Sequence, residues 1–266
     1  VCPQRFNQEP PEYFATKLLT DLEMDSFPIN VRKVANLCRI KIKEVKADSF
    51  EGCAIKTDER AGILLNNKYQ YEKRKRFTIA HELGHIILPY HEGQKYACTS
   101  EDMVKYSVKD EEVEANQFAA ELLMPSYAIE DDCSELDVNL NAIDLLTKKY
   151  EVSRSSAALR FVDFTYGVCA VIFVRDGLIK SFKRSEEFKN DKLFVAVGRK
   201  VSLLSPAGKY FIEKKLLPIA PVEVPANAWL SEKHKNFSFH LYEQSFEVEP
   251  GKTLLSFIWT AEDYGN

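Results

Sequence analysis

Between Phe77 and Pro89 the chain reads FTIAHELGHIILP, an apolar run with His81, Glu82 and His85 set inside it. Helical spacing places residues four apart on one face, with about 6 Å between side-chain origins. Two imidazoles so placed can converge on one tetrahedral zinc, with Zn–N bonds of roughly 2.0–2.1 Å. Glu82 stands next to the first histidine, where it can take a proton from a water whose pKa the metal lowers to roughly 7. The flanks Phe77, Ile79, Ala80, Ile86, Ile87 and Leu88 bury the helix, and Gly84 leaves room for another backbone to approach it closely. With 5 His in the chain, a His-Glu-x-x-His arises by chance on the order of once in 100 such sequences. The metal reading is therefore preferred to two core histidines.

A hydrolytic zinc site needs a third protein ligand and leaves the fourth position to water. The best supplier is DEEVEANQFAAELLMP, read as a second helix from 110 to 124 that stops at Pro125. Glu112, Ala115, Asn116 and Ala119 share one stripe, and its small residues permit tight helix–helix approach. Glu112 can ligate while Asn116, four residues on, orients a ligand imidazole from behind. Glu111 and Glu114 read as solvated, with Glu114 the main rival ligand.

The remaining chain divides in two. Residues 12–40 read as helical, broken by a Ser26-Phe27-Pro28 turn. Short strands follow at 40–45, 52–57 and 62–65, then the zinc helix over 73–88, an irregular stretch over 90–107, the second helix, and two helical segments over 126–161. From Gly167 the runs VCAVIFV, KLFVAVG, NFSFHLYEQSFEV and TLLSFIW predict β structure. A domain boundary is expected near Tyr166, giving domains 1–165 and 166–266. No stretch approaches the roughly 18 apolar residues of a membrane span, and the opening VCPQRFNQEPPEYF lacks the apolar core of a secretory signal. The six cysteines (Cys2, Cys38, Cys53, Cys98, Cys133, Cys169) include no short-spaced pair, which fits a reducing, cytoplasmic home. Charge is uneven: residues 101–151 hold 14 acidic against 4 basic residues, and residues 175–215 hold 11 basic against 5 acidic.

FTIAHELGH followed by EVEANQFAAELLMP resembles the ImmA/IrrE metallopeptidases, bacterial regulators of mobile-element and stress responses that cut helix-turn-helix repressors. The resemblance covers residues 12–160. It implies His81, His85 and Glu112 as zinc ligands, Glu82 as base, and AGILLNN as the sheet edge on which an extended substrate lies. The C-terminal third resembles, more loosely, the GAF-like sensor domain of some members.

Other features carry weaker readings. Cys98 lies between the two metal helices and is a candidate inhibitory zinc ligand in place of water, a device the resemblance also implies for relatives paired with anti-phage operons. His91, Tyr90 and Tyr96 are candidate oxyanion stabilisers, although an exposed loop is the expected place for His91. Residues 140–161 have a helix-turn-helix pattern but an acidic first helix, so they read as structural. The basic stretch 175–215, interleaved with Phe182, Phe188, Phe194, Tyr210 and Phe211, reads either as solvated surface or as a sensor for single-stranded DNA or a small ligand.

The expectation is an α+β protein: a zincin-like metallopeptidase domain followed by a smaller α/β GAF-like sensor domain. The expected activity is zinc-dependent cleavage (Mn2+ is an alternative ion) of a helix-turn-helix repressor, switching on a stress- or phage-defence operon. The alternatives are a protein that sequesters a repressor without cutting it, and a direct DNA binder with a structural metal. The intact Glu82 and a three-ligand set argue against both.

Overall fold

The structure is a computed structural model that describes residues 9–57, 60–68, 71–91, 110–231 and 239–260, together with the backbone of 95–98. Packing groups the chain up to Ala128, with Thr147–Ser153, into one compact unit; Ile129–Leu146 and the chain from Arg154 form the other.

The first unit opens with α1 (Pro11–Asp21) and α2 (Val31–Leu37). Pro11 at the first helical turn starts α1, where its missing N–H costs nothing. The Asn30 side chain accepts from the Lys33 amide to start α2. Three strands follow: β1 (Lys41–Val45), β2 (Gly52–Lys56) and β3 (Ala61–Asn66). Then come α3 (Glu72–Ile87), the short strand β4 (Lys95–Cys98) and α4 (Asp110–Leu123). The strands form a sheet in the order β1-β3-β2-β4, with β1 parallel to β3 and the other pairs antiparallel.

That order corrects two expectations. AGILLNN is β3, and both of its sides are taken by β1 and β2, so it is not an edge on which a substrate can lie. Among the described residues the edges are β1 and β4. β4 itself falls in a stretch whose sequence suggests only irregular chain. Four residues give too short a period-2 pattern to detect, and pairing with β2 makes the strand.

Strand β2 is anchored from its start. Arg74 of α3 makes a two-pronged ion pair with the buried Glu51, Nε to Oε2 at 2.6 Å and Nη2 to Oε1 at 3.0 Å. Asn66 donates from its side chain to the Ala47 and Phe50 carbonyls at 2.6 and 2.8 Å, tying down the turn into β2. Glu121 of α4 holds two more elements: it accepts from Thr16 of α1 at 3.0 Å and from the Ser126 amide and hydroxyl at 2.8 and 2.7 Å.

Residues 126–164 form three helices rather than two: α5 (Ser126–Ser134), α6 (Leu140–Lys149) and α7 (Arg154–Phe164). The second unit then builds a sheet from β5 (Cys169–Arg175), β6 (Leu178–Arg184), β7 (Val222–Pro225), β8 (His240–Glu249) and β9 (Thr253–Thr260), with α8 (Glu186–Asn190) and α9 (Pro206–Glu213) between β6 and β7. Its order is β6-β5-β9-β8-β7 and every pair is antiparallel, so this part is an antiparallel-sheet domain and not an α/β one. KLFVAVG forms no named strand. Leu193 and Val195 are buried in the core while Val197 is exposed, and a single bridge from Val195 to Leu230 replaces the ladder. Alternating apolar residues report a half-buried surface, which a loop can supply as well as a strand. Among the described residues no helix is long and apolar enough to cross a membrane.

The core of this second sheet holds a carboxyl. Glu243 is fully buried and accepts from Trp229 Nε1 at 2.7 Å, from the Ala207 amide at 3.0 Å and from Ser245 Oγ at 3.0 Å. Burial pushes its pKa up to about 7, against the pull of those hydrogen bonds. The folded state thus holds a proton that the unfolded chain releases near its ordinary value of about 4.3. The associated stability is fully present below that value and is lost as pH rises to about 7, a change of about 4 kcal/mol at most. Both tryptophans, Trp229 and Trp259, belong to this unit, so their fluorescence reports its unfolding. The urea midpoint read this way is expected to fall between pH 5 and pH 8 in the wild type and to move less in Glu243→Gln. A wild-type midpoint that is flat or rises would refute this.

Candidate metal centre

Helices α3 and α4 pack face to face, and their sequences explain how closely. A Cβ on Gly84 would lie 3.1 Å from Ala115 Cα and 3.3 Å from Ala115 O. Glycine on one helix and alanine on the other therefore set the approach that a metal shared between the helices requires. Pro89 stops α3, and the Leu88 amide still bonds to the Gly84 carbonyl at 2.9 Å.

On the facing surfaces three side chains meet. His81 Nε2 lies 3.1 Å from His85 Nε2 and 3.2 Å from Glu112 Oε2, and His85 Nε2 lies 3.5 Å from Glu112 Oε1. Tetrahedral ligands with bonds of roughly 2.0–2.1 Å stand about 3.3 Å apart, so the three atoms already have the spacing of a ligand set. Both imidazoles are fully buried and Glu112 nearly so. Their outer nitrogens have their own neighbours: His81 Nδ1 is 3.0 Å from Asn116 Oδ1. A proton on His81 Nδ1 would donate to that oxygen and leave a lone pair turned toward Glu112. Lone pairs converging on an ionised carboxylate repel unless a cation sits among them. The residues present fit a divalent metal.

Protonation points the same way. Burial pushes His85 down, with His81 adding to the effect against the pull of Glu112, which favours the neutral ring a ligand must be. Burial alone would raise Glu112, but the neighbouring His81 and His85 outweigh it and hold the carboxyl below the usual carboxylate range. Glu82 lies on the same buried turn of α3 and is itself fully buried. Its wall on the sheet side is Gly52 of β2: a Cβ built there would overlap Glu82 Oε1 and lie 2.6 Å from Thr78 Cγ2. No local signal in the sequence marks Gly52.

Residues 38–162 match the family described as the IrrE N-terminal-like domain. The chain contains an IrrE N-terminal-like domain. That domain belongs to a metalloprotease family, and this copy carries a candidate His81/His85/Glu112 metal site. Among curated relatives, the chain is 31% identical to the radiation response metalloprotease IrrE of Deinococcus radiodurans, over 42% of this chain and 36% of the relative. It thus spans well under half the length of that relative. Among solved structures, a Mycobacterium tuberculosis transcriptional regulator superposes with a TM-score of 0.54 at 14% identity, covering 94% of this chain and 87% of that one. At that identity the likeness concerns the fold alone.

The other sequence candidates are placed as follows. His91 is not on an exposed loop: it is fully buried, with Nδ1 3.0 Å from His85 Nδ1 and Nε2 3.1 Å from Glu114 Oε2. Burial and the neighbouring His85 push its pKa down to about 3, so the ring is neutral. Glu114 is correspondingly half-buried against His91 rather than solvated, and it does not join the three ligands. A signal was available, since three of the chain's 5 histidines fall within residues 81–91. Tyr90 packs edge-on against Phe14, with ring centroids 6.1 Å apart. The backbone of β4 sets Cys98 opposite Gly52 and Tyr96 opposite Ala54, and the side chains of both lie outside the described residues. Of the five aromatics in the basic stretch, Phe188 is buried in the second core, Phe182, Tyr210 and Phe211 pack against it, and Phe194 is exposed beside Arg184.

Proposed function

We propose that this chain is a metal-dependent endopeptidase that cleaves a helix-turn-helix transcriptional repressor, relieving repression of a stress- or phage-defence operon. The observation that carries the reading is the meeting of two buried imidazoles and a carboxylate at ligand spacing, with Glu82 buried on the same helix turn. His81, His85 and Glu112 would hold a zinc ion, which would supply Lewis acidity at that point and lower the pKa of a water toward roughly 7. Manganese suits the same nitrogen–oxygen donors. Glu82 accepts the proton of the attacking water and passes it to the departing amine nitrogen. His91 has both ring nitrogens turned to His85 and Glu114, so the oxyanion falls to Tyr90 or Tyr96. An extended substrate pairs with β4, the edge strand beside β2, whose Gly52 lies against Glu82, rather than with β3.

The repressor as substrate rests on the resemblance to the ImmA/IrrE metallopeptidases and on charge. A DNA-binding repressor is cationic, and residues 101–151 carry 14 acidic against 4 basic residues. In this reading residues 166–266 are a GAF-like sensor that receives single-stranded DNA or a small molecule, and Cys98 is an inhibitory ligand displaced on activation. The test is incubation of the zinc-loaded chain with the helix-turn-helix repressor encoded beside its gene, with and without single-stranded DNA, and for both wild type and Cys98→Ser. A discrete cleavage of the repressor is expected. If every combination leaves the repressor intact but bound, the protein is a sequestering regulator and the peptidase reading is lost.

A further inference from the structure

We propose that His91, pinned by Glu114, is a positioning residue that turns His85 into a metal ligand. The inference rests on the metal reading above and adds residues to it. The two Nδ1 atoms of His85 and His91 are 3.0 Å apart, and at that distance one proton lies between two neutral rings. If His85 holds it, His85 Nε2 is a lone pair facing His81 and Glu112, as ligation demands. If His91 holds it, the His85 proton moves to Nε2 and stands where the metal must be.

An imidazole can accept or donate at either nitrogen, so contact with His91 alone does not choose between these arrangements. Glu114 chooses. Its Oε2 lies 3.1 Å from His91 Nε2, and an ionised carboxylate only accepts. The His91 proton is thereby drawn to Nε2, Nδ1 is left bare, and His85 must donate to it. The relay runs in one direction: His85 Nδ1–H to His91, His91 Nε2–H to Glu114. The other ligand needs no relay, because Asn116 Oδ1 cannot donate to His81.

The fold delivers both parts. The His91 amide bonds to the Leu88 carbonyl at 3.2 Å, turning the chain back beneath the end of α3. Helix α4 presents Glu112 to the metal side and, two residues on, Glu114 to His91. The burial of His91 excludes water as a substitute partner.

The test uses the whole chain and zinc, titrated in competition with a chromophoric chelator. Wild type is expected to bind one zinc, His91→Leu to bind it 10–100-fold more weakly, and His91→Asn to recover most of that loss, because its side-chain oxygen can accept from His85. Glu114→Gln, whose amide can donate as well as accept, is expected to show a smaller loss. Nitrogen-15 NMR of the zinc-loaded wild type reads the relay directly, with protons on His85 Nδ1 and His91 Nε2, and does not depend on any variant folding. Equal zinc affinity in wild type and His91→Leu, or a proton on His91 Nδ1, overturns the proposal while leaving the metal site standing. A wild type that binds no zinc overturns the metal reading, and this inference with it.

Discussion

Glu82→Gln is expected to lower repressor cleavage by about 10²–10⁴-fold, the usual contribution of a positioned acid–base group, while the chain still takes up one metal ion. Gln has the shape of Glu, so the packing of α3 against Gly52 and Thr78 is kept. The candidate ligand atoms belong to His81, His85 and Glu112, none of which is altered. What is lost is a carboxylate able to accept a proton. The measurement is single-turnover cleavage with metal content determined on the same samples. Loss of activity with metal retained assigns the base to Glu82, whereas His81→Ala is expected to lose metal and activity together. Cleavage by Glu82→Gln within a few-fold of wild type, metal bound, would mean that another group takes the proton.

The parts of the fold and site that can be read from the sequence are those encoded within single helices. Helix α3 announces itself through polar residues four apart inside an apolar run closed by Pro89. Helix α4 does so through its small-residue stripe, its acidic first turn and its stop at Pro125. Both have the 3.6-residue period, and the pairing of Glu112 with Asn116 follows from that period alone. What escaped is what depends on distant partners. β4 is a strand because β2 lies beside it. His91 is followed by polar residues and looks exposed, yet Glu114 and the end of α3 pack against it. AGILLNN, which the family resemblance makes a sheet edge, is paired in parallel with β1, earlier in the chain. KLFVAVG has a strand's alternation, but that pattern reports which side chains are buried and does not reveal whether a ladder partner exists.

Gly52→Ala is the second change with a large expected effect, and it touches no metal ligand. The added Cβ would overlap Glu82 Oε1 and lie 2.6 Å from Thr78 Cγ2 and 2.9 Å from Glu82 Cγ. Three things decide which neighbour gives way. The strand is held by the two-pronged Glu51–Arg74 pair immediately before Gly52. Thr78 is held by its hydroxyl, which donates to the Arg74 carbonyl at 3.0 Å. The longest and most movable of the three is the Glu82 side chain, so the base is displaced. A shift of about 1 Å in such a group can cost about 10²-fold in rate, and overpacking adds a destabilisation of about 1–3 kcal/mol. The expected signature is a fall in kcat of about that size with metal content unchanged. An equally large effect from general loosening of the domain would be accompanied by loss of metal, which separates the two. The double variant with Glu82→Gln is more decisive. If Gly52→Ala acts through Glu82, it has little left to remove once the carboxylate is gone, and the combined loss stays close to that of Glu82→Gln alone. Losses that multiply would show that Gly52 shapes the substrate path and not the base.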